Sequence, residues 1–568
     1  MIKRRWSSVI LVGLALILTG VITSCDLENE VNSEVTAEEF FESRQQFTSA
    51  LGDAYNPMTD FGGSVGPSTS AEVMSDEVIV PGRGQDWSEG GFWARKHAHE
   101  WNIDDDAWDT SWQSFFTGVN NANRLIFQIN QAVEEGTADE ELATQFLAEL
   151  KSMRAFYYFW LLDNFGNVPI LKSFEDAPEN PTQPCSEGPV ASEQCFNDGR
   201  QEVFNFVEQQ LVDNIDALQT NKQETLGRMN KWVAHMTLAK LYMMSETYTG
   251  TPRWDDALTH LDAIINSGQY SLAGSYSSNF AVQNQGSPEN IFQIPFDQVF
   301  LQGFNLHVMT LHYRQQAEFQ FQQQPWNGFS ATTKAYKAVV DTNKNPGPTR
   351  QVWGFEQTES STGLEQIPGT DDDRLGNFLV GPRFTAGGER ITDGGVFSDF
   401  DKNGPPLTLV PVVNDLERNA CRQCGARIGK YEFESGLTTN MNNDMVIFRY
   451  ADVLLLKAEA LWRQNNKSTT PEALALVNQA RERAGVDPFS SLNADKILAE
   501  RMRELFWEMT RRQDLLRFEG EEGETRFNDS WKFKDVSPSF RNVGPIPQGQ
   551  LETNPELVQN PGYSTPGG

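Results

Sequence analysis

The chain has 568 residues and carries 78 Asp and Glu against 46 Lys and Arg, so its formal net charge at pH 7 is −32. Nucleic-acid affinity comes mainly from Lys and Arg side chains that neutralise phosphates, and a chain this acidic is therefore not expected to bind DNA or RNA. The composition, 39% hydrophobic and 11% aromatic, is that of a packed globular protein and not of a disordered acidic chain.

The N-terminus has the three parts of an export signal. Residues 3–5 are basic, and residues 9–22 form an apolar run that is too short to span a bilayer, which needs about 20 apolar residues. The segment 21–25 resembles a bacterial lipobox. By that resemblance residues 1–24 are a lipoprotein signal peptide, and an acylated Cys25 anchors the mature chain in outer-membrane lipid. The alternative is an ordinary secreted protein that is cut near Ser24.

Acidic residues at positions 26, 28 and 30 resemble the surface-export signal of Bacteroidetes-type lipoproteins. This resemblance predicts a lipid-anchored protein that faces the cell exterior.

Four further cysteines allow three disulfide pairings, and proximity in sequence favours the local one, Cys185 with Cys195 and Cys421 with Cys424. The Cys-x-x-Cys spacing of 421–424 is also found in zinc sites. Zinc needs a second pair at similar spacing, however, which the more distant Cys185 and Cys195 do not supply. We therefore expect disulfides in an oxidising compartment.

Apolar residues recur at helical spacing near both ends of the chain. Helix, short turn and helix follow each other as in a tetratricopeptide-like array, whose units must stack to bury their apolar faces. Between 273 and 445 the apolar residues no longer recur at helical spacing, and only short helices are expected. The predicted helices lie at 112–134, 141–163, two within 231–267, 331–340, 451–462, one starting at Pro471, and one long helix at 494–518.

These observations predict a mainly α fold with a large loop-rich insertion. The predicted order is a signal peptide at 1–24, a tether at 25–40, a helical region at 41–272, a loop-rich region at 273–445, and C-terminal helices and a tail at 446–568.

One segment carries a close family resemblance. Residues 449–460 read Arg-Tyr-Ala-Asp-Val-Leu-Leu-Leu-Lys-Ala-Glu-Ala and closely resemble the R-Y-A-[DE]-V-L-L-x-x-A-E-A helix of the SusD/RagB family of outer-membrane nutrient-binding lipoproteins. Residues 154–169, 477–485, 500–517 and 546–563 also resemble motifs of that family. The chain departs from the family pattern at Met509, where Gly is usual, and at Asn167, where Asp is usual.

The resemblance implies a SusD-like fold that captures oligosaccharide and delivers it to a SusC-like TonB-dependent transporter, with no cofactor and no catalysis. Two alternatives stay open: a peptide-binding RagB-like member of the family, and a surface glycoside hydrolase with a helical fold. The charged residues of 500–517 are expected to form exposed ion pairs at i, i+4 spacing, each worth about 0.3 to 0.5 kcal/mol.

Two motifs of enzyme chemistry are missing from the sequence: there is no phosphate-binding loop and no His-Glu-x-x-His helix. A metal site is conceivable at His97 and His99 with the acidic residues 104–106. Residues at i and i+2 share a face only in a strand, however, so we predict no metal.

Aromatic residues point to the ligand site. Five of the 14 tryptophans lie between Trp87 and Trp112. A sugar ring stacks on an exposed indole while neighbouring polar side chains bind its hydroxyl groups. Trp108 and Trp112 are predicted to lie in the core. Phe304, in the middle region, is a further candidate for contact with the ligand. The glycan-binding candidates are Trp87, Trp93, Trp101, Asp76, Arg83, Trp326, Asn327 and Tyr313.

Overall fold

The computed structural model describes residues 41–175, 177–340, 372–393 and 405–565, together with the backbone of 347–351 and 366–369. The predicted signal peptide, the tether and the lipidation site Cys25 lie outside these residues. The first half of the chain contains helices α1 to α10: Arg44–Ala50, Gly52–Tyr55, Pro67–Val73, Phe92–Ala98, Asp106–Glu134, Glu140–Phe165, Glu193–Asn214, Lys231–Met243, Ser245–Thr249 and Trp254–Asn266.

The second half adds helices α11 to α18. They are Leu306–Thr310, Gln316–Phe319, Thr333–Val340, Tyr450–Gln464, Pro471–Arg483, Ala494–Leu505, Arg511–Arg517 and Gln548–Thr553. The mainly α fold is thus confirmed, and most predicted helices begin or end within a few residues of the expected positions.

Side-chain caps fix several of these boundaries. Asp139 accepts the N–H of Leu142 at the start of α6, and Thr470 accepts the N–H of Ala473 with Pro471 at the first position of α15. Helix α7 was not expected from the sequence. It begins at the N-cap Ser192, and its buried residues are spread among polar ones.

Neighbouring helices pack as pairs around one large apolar core. Helix α5 packs on α6, α6 on α7, and α8 on α10, while α10 contacts α14, which in turn packs on α15. The contact between α10 and α14 joins the N-terminal helices directly to the C-terminal ones. The irregular middle region is therefore an excursion from a continuous stack of helices, as repeat architectures allow.

A two-stranded antiparallel sheet closes the base of this excursion. Strand β2, Asn290–Ile294, pairs with β10, Met445–Arg449, so that Met445 lies opposite Ile294. The other short strands form four antiparallel pairs: β1–β3, β4–β5, β6–β9 and β7–β8. Their bounds are β1 Val78–Ile79, β3 Ser330–Ala331, β4 Gly347–Gln351, β5 Gln366–Gly369, β6 Phe378–Leu379, β7 Gly381–Pro382, β8 Thr408–Leu409 and β9 Arg427–Ile428.

The prediction of one helix over 494–518 was wrong. Helix α16 ends at Leu505, and α17 begins at Arg511. Between them Trp507 and Met509 adopt left-handed backbone angles, with φ of 60° and 57°. Met509 thus occupies a conformation that glycine adopts more readily, at the position where the resembled family usually has glycine.

The expected exposed ion pairs of 500–517 are instead buried. Arg449 lies at 0% exposure and binds Glu289, Glu504 and Glu508, with Nε 2.8 Å from a Glu508 oxygen. Arg517 likewise binds the buried Glu459 at 2.8 Å. The partners come from different elements, so these charges join β10, α14 and the segment after α16. The periodic spacing predicted local pairs because it carries no information about these distant partners.

The cysteines form the local pairs, Cys185 with Cys195 and Cys421 with Cys424. Among the residues that the structure describes, no helix has the length and apolar character needed to cross a membrane.

Candidate ligand-binding surface

Two loops present a pair of half-exposed indoles. Trp87 lies in the loop between β1 and α4, and Trp326 lies in the loop before β3. The Trp87 indole N–H donates to the backbone oxygen of Trp326 at 2.8 Å, and the ring centroids are 6.3 Å apart. Trp87 has a φ of 59°, which is costly for a bulky residue and is found mainly where surrounding structure imposes it.

Buried groups beneath Trp87 hold its ring in place. A Cβ atom at Gly328 would lie 2.4 Å from the Trp87 ring, so the ring packs directly on the glycine backbone. Phe329 meets Trp87 edge-on, with ring centroids 5.4 Å apart, and Trp93 packs on the same phenylalanine at 5.2 Å. The Trp87 side chain is therefore supported from below and half-exposed above.

Two buried guanidinium groups lock the loops together. Arg83 donates to the backbone oxygens of Asn327, Gly328 and, at 2.8 Å, Cys424. Arg427 donates to Oδ1 of Asn327 at 2.6 Å and also to the oxygen of Cys424 at 2.8 Å. Burial lowers the pKa of Arg83 to about 10. Both groups remain cations at neutral pH and satisfy loop carbonyls that would otherwise be unpaired.

A polar rim lies beside the tryptophans. The Tyr313 hydroxyl donates to Asp86, the residue before Trp87, at 2.5 Å. The Arg422 guanidinium lies 4.7 Å from the centre of the Tyr313 ring and binds Asp393 at 2.8 Å. Arg422 is held in the loop that the Cys421–Cys424 disulfide closes. Asp86, Arg422 and Tyr313 therefore offer acceptors and donors at the edge of the indole pair.

Only part of the predicted site comes together here. Trp87 and Trp326 do, and Tyr313 adjoins them, although it is only 8% exposed and its hydroxyl is bound to Asp86. Asn327 is fully buried and acts through its contacts with Arg427. Arg83 is 1% exposed and serves the backbone, so its predicted contact with ligand is corrected to a supporting role.

Three other candidates lie in the core. Asp76 is buried and paired with Arg511 at 2.7 Å, so its carboxylate is engaged inside the protein. Trp101 is 1% exposed and donates to the Tyr563 hydroxyl at 2.7 Å. Trp93 is 2% exposed beneath Trp87. Direct ligand contact by these side chains is ruled out in this conformation by burial, as it is for Phe304.

The remaining aromatic and histidine candidates lie inside the protein. Trp108 and Trp112 are buried, as expected. His97 and His99 are buried among backbone carbonyls, with His99 Nε2 2.8 Å from the Met74 oxygen. Within the described part of the chain, no three His, Cys, Asp or Glu side chains are grouped to hold a metal ion.

Sequence reasoning missed three members of the surface: Asp86, Gly328 and Arg422. Asp86 is next to Trp87 in the sequence, and Arg422 lies between two cysteines. Both could therefore have been predicted from neighbouring residues. Gly328 had none, because its role depends on a tryptophan that is distant in sequence.

Two half-open clefts lie elsewhere on the protein. One cleft of about 590 Å³ is lined by residues that include Lys334, Arg511 and Trp531, and another of about 770 Å³ includes Trp462 and Phe518. Two flat aromatic faces with a hydrogen-bonding rim suit non-covalent binding of a molecule that has both apolar faces and hydroxyl groups.

The fold is thus a stack of helix pairs, and the candidate surface lies where the loop of Trp87 meets the irregular excursion that contains Trp326. Residues 288–563 match the family model described as "SusD family", and residues 29–243 match the one described as "Starch-binding associating with outer membrane". The chain belongs to the SusD family.

Individual relatives are distant but cover most of the chain. The chain is 24% identical to "Starch-binding protein SusD" of Bacteroides thetaiotaomicron over 76% of its length and 74% of that protein. A SusD superfamily protein of Parabacteroides distasonis superposes with a TM-score of 0.68 at 19% identity, covering 92% of this chain and 100% of that one. Surface glycan-binding protein A of B. thetaiotaomicron, in complex with laminarihexaose, superposes at 0.63 with 19% identity, covering 91% and 99%.

Proposed function

We propose that this protein binds oligosaccharide at the cell surface, on the surface formed by Trp87, Trp326 and the rim of Asp86, Tyr313 and Arg422. The observation that carries the proposal is the pair of half-exposed indoles on two loops that Arg83 clamps together. Two similar proteins support the proposal: one is a starch-binding protein, and the other is a surface glycan-binding protein in complex with laminarihexaose.

The chemistry of a sugar fits these groups. One face of a pyranose ring presents C–H bonds that stack on an indole, while its hydroxyl groups need donors and acceptors. Because the loops are held by buried hydrogen bonds, little conformational freedom is lost when a ligand binds, and that pre-organisation favours affinity.

The bound glycan would then pass to a SusC-like TonB-dependent transporter in the outer membrane. Acylation of Cys25 would hold the protein at that membrane, facing the exterior, and no cofactor or bond-making step is needed. Transfer requires only that a second state of the complex binds the glycan less tightly than the first. The family description, which names association with the outer membrane, supports this location.

Binding of neutral hexasaccharides tests the site. We expect maltohexaose or laminarihexaose to quench tryptophan fluorescence, and we expect Trp87→Ala and Trp326→Ala each to weaken binding at least tenfold, or about 1.4 kcal/mol. Trp254→Ala is the matched control, because Trp254 is also half-buried but lies on α10, outside the site. Equal affinity in all variants would refute the site, and binding of peptide digests in preference to both sugars would refute the ligand class.

A further inference from the structure

Two histidines face each other on the helix pair α8 and α10. His235 on α8 and His260 on α10 bring their Nδ1 atoms to 2.8 Å, with ring centroids 5.1 Å apart. Both side chains are half-exposed, whereas the other four histidines of the chain, at 97, 99, 307 and 312, are at most 2% exposed. The pair therefore holds the accessible imidazoles of this protein.

Aromatic neighbours fix the orientation of both rings. The Trp232 ring stacks on His235 at 6.0 Å and 22°, and the Tyr242 ring stacks on His260 at 5.5 Å and 20°. Both aromatics are tied down in turn: the Trp232 N–H donates to the Thr220 oxygen at 2.8 Å, and the Tyr242 hydroxyl donates to Glu208 at 2.7 Å. The imidazoles are thus held on rigid helices by packing and outer hydrogen bonds, which is what a pre-organised site requires.

The contact between the two rings already involves nitrogen atoms that can bind a metal ion. Two ring nitrogens 2.8 Å apart form a hydrogen bond in which one Nδ1 donates its proton and the other accepts it with a lone pair. Binding of a metal ion to both Nδ1 atoms replaces that hydrogen bond, and the donor ring stays neutral by carrying its proton on Nε2 instead.

We propose that His235 and His260 bind a divalent transition-metal ion through their Nδ1 atoms. A zinc-type ion lies about 2.0 to 2.1 Å from each nitrogen, and this places two adjacent ligands about 2.9 to 3.3 Å apart. The observed 2.8 Å is close to that separation, so the two nitrogens need to move apart by only about 0.1 to 0.5 Å. Two protein ligands with water completing the shell favour ions with high affinity for imidazole, in the order Cu²⁺ above Ni²⁺ above Co²⁺.

The charges around the pair suit a cation. Three carboxylates, of Glu208, Asp216 and Asp256, lie around the pair, and the cations Lys231 and Arg253 bind to them. A net negative setting favours a divalent cation without providing the group of carboxylates that calcium prefers.

Titration with Cu²⁺ or Ni²⁺ alone tests the site, using the full chain without a histidine tag after treatment with chelator. We expect one ion per chain to bind by calorimetry, with His235→Ala and His260→Ala each weakening binding at least tenfold. Thr259→Ala is the control, since Thr259 is exposed and adjacent to His260. Melting curves followed by circular dichroism establish that every variant is folded.

A second readout uses the stacked indole. Cu²⁺ quenches nearby tryptophan fluorescence, and we expect Trp232→Phe to reduce the quenched amplitude while it leaves the number of bound ions unchanged. Equal Cu²⁺ affinity in wild-type protein and in the His235→Ala, His260→Ala double variant would overturn the proposal. Displacement of Cu²⁺ by millimolar Ca²⁺ would also overturn it, because it would locate the ion among carboxylates.

Discussion

At the scale of single residues, two buried carboxyl groups hold the break between α16 and α17. Glu72 accepts the N–H of Met509 at 2.7 Å, and Glu77 accepts the N–H of Trp507 at 3.4 Å. Both side chains are 1% exposed. Burial raises the pKa of Glu72 to about 7, and burial together with the charge of Glu72 raises the pKa of Glu77. The folded protein therefore favours the protonated, neutral form of both carboxyl groups.

These raised pKa values predict how stability changes with pH. A carboxyl group with a raised pKa in the folded state contributes stability that is fully present below its unfolded pKa, about 4.3, and is lost as pH rises through its folded pKa. The surrounding Lys430 and Arg511 favour ionisation, whereas Asp76, Glu508 and Asp514 oppose it. The pair should therefore lower the stability of the protein as the pH rises from 5 to 8.

We expect Glu77→Gln to remove much of that loss, because the amide cannot ionise and can still accept the Trp507 N–H. At pH 8 the variant should be more stable than the wild type, and the difference should shrink as the pH falls. Urea unfolding at several pH values measures the difference, with the exposed Glu141→Gln as control. Parallel pH profiles of wild type and Glu77→Gln would contradict the assignment.

At the scale of elements, buried charges connect segments that are far apart in the chain. Arg449 ends β10 and binds carboxylates from Glu289, at the start of the excursion, and from Glu504 and Glu508. Arg374, within the excursion, binds Glu500 at 2.6 Å. These contacts fix where the irregular region sits on the stack of helices, and so they position the loops of the candidate site.

Loss of one buried partner should be far more damaging than loss of an exposed one. We expect Arg449→Met to lower the free energy of unfolding by about 3 to 5 kcal/mol, because three carboxylates lose their common cation. Arg124→Met removes an exposed pair with Asp53, whose side chains are 38% and 66% exposed, and should cost less than about 1 kcal/mol. Denaturant unfolding of both variants tests this contrast, and similar losses would show that the Arg449 pairs contribute little.

Sequence reasoning succeeded where the signal was local. The helix pairs follow from apolar stripes and caps, and the half-exposed position of Trp87 agrees with its polar neighbours in the sequence. It failed at 506–510, because apolar residues continue through the break while the hydrogen bonds that fix it come from Glu72 and Glu77. The prediction that Asp76 contacts ligand also failed. Its partner Arg511 lies 435 residues away, so the sequence near Asp76 does not indicate the ion pair.

At the scale of the whole molecule, the excess of acidic over basic residues lies outside the buried core. Buried acids such as Glu459 and Asp452 are matched by buried cations such as Arg517 and Arg501, so most of the net charge of −32 falls on the rest of the chain. The field around the protein is therefore negative in most directions, and it acts on approaching ligands within a Debye length of about 10 Å at 0.1 M salt.

This field predicts a preference among glycans. Neutral oligosaccharides should bind more tightly than uronate-rich or sulfated ones of equal length, and the difference should shrink as salt screens the repulsion. Calorimetry with laminarihexaose and a hexa-uronate at 20 and 300 mM NaCl measures both effects. The neutral sugar should show little dependence on salt, which separates screening from a general effect of ions on the protein. Tighter binding of the uronate at 20 mM would mean that the local cation Arg422 dominates the field of the whole chain.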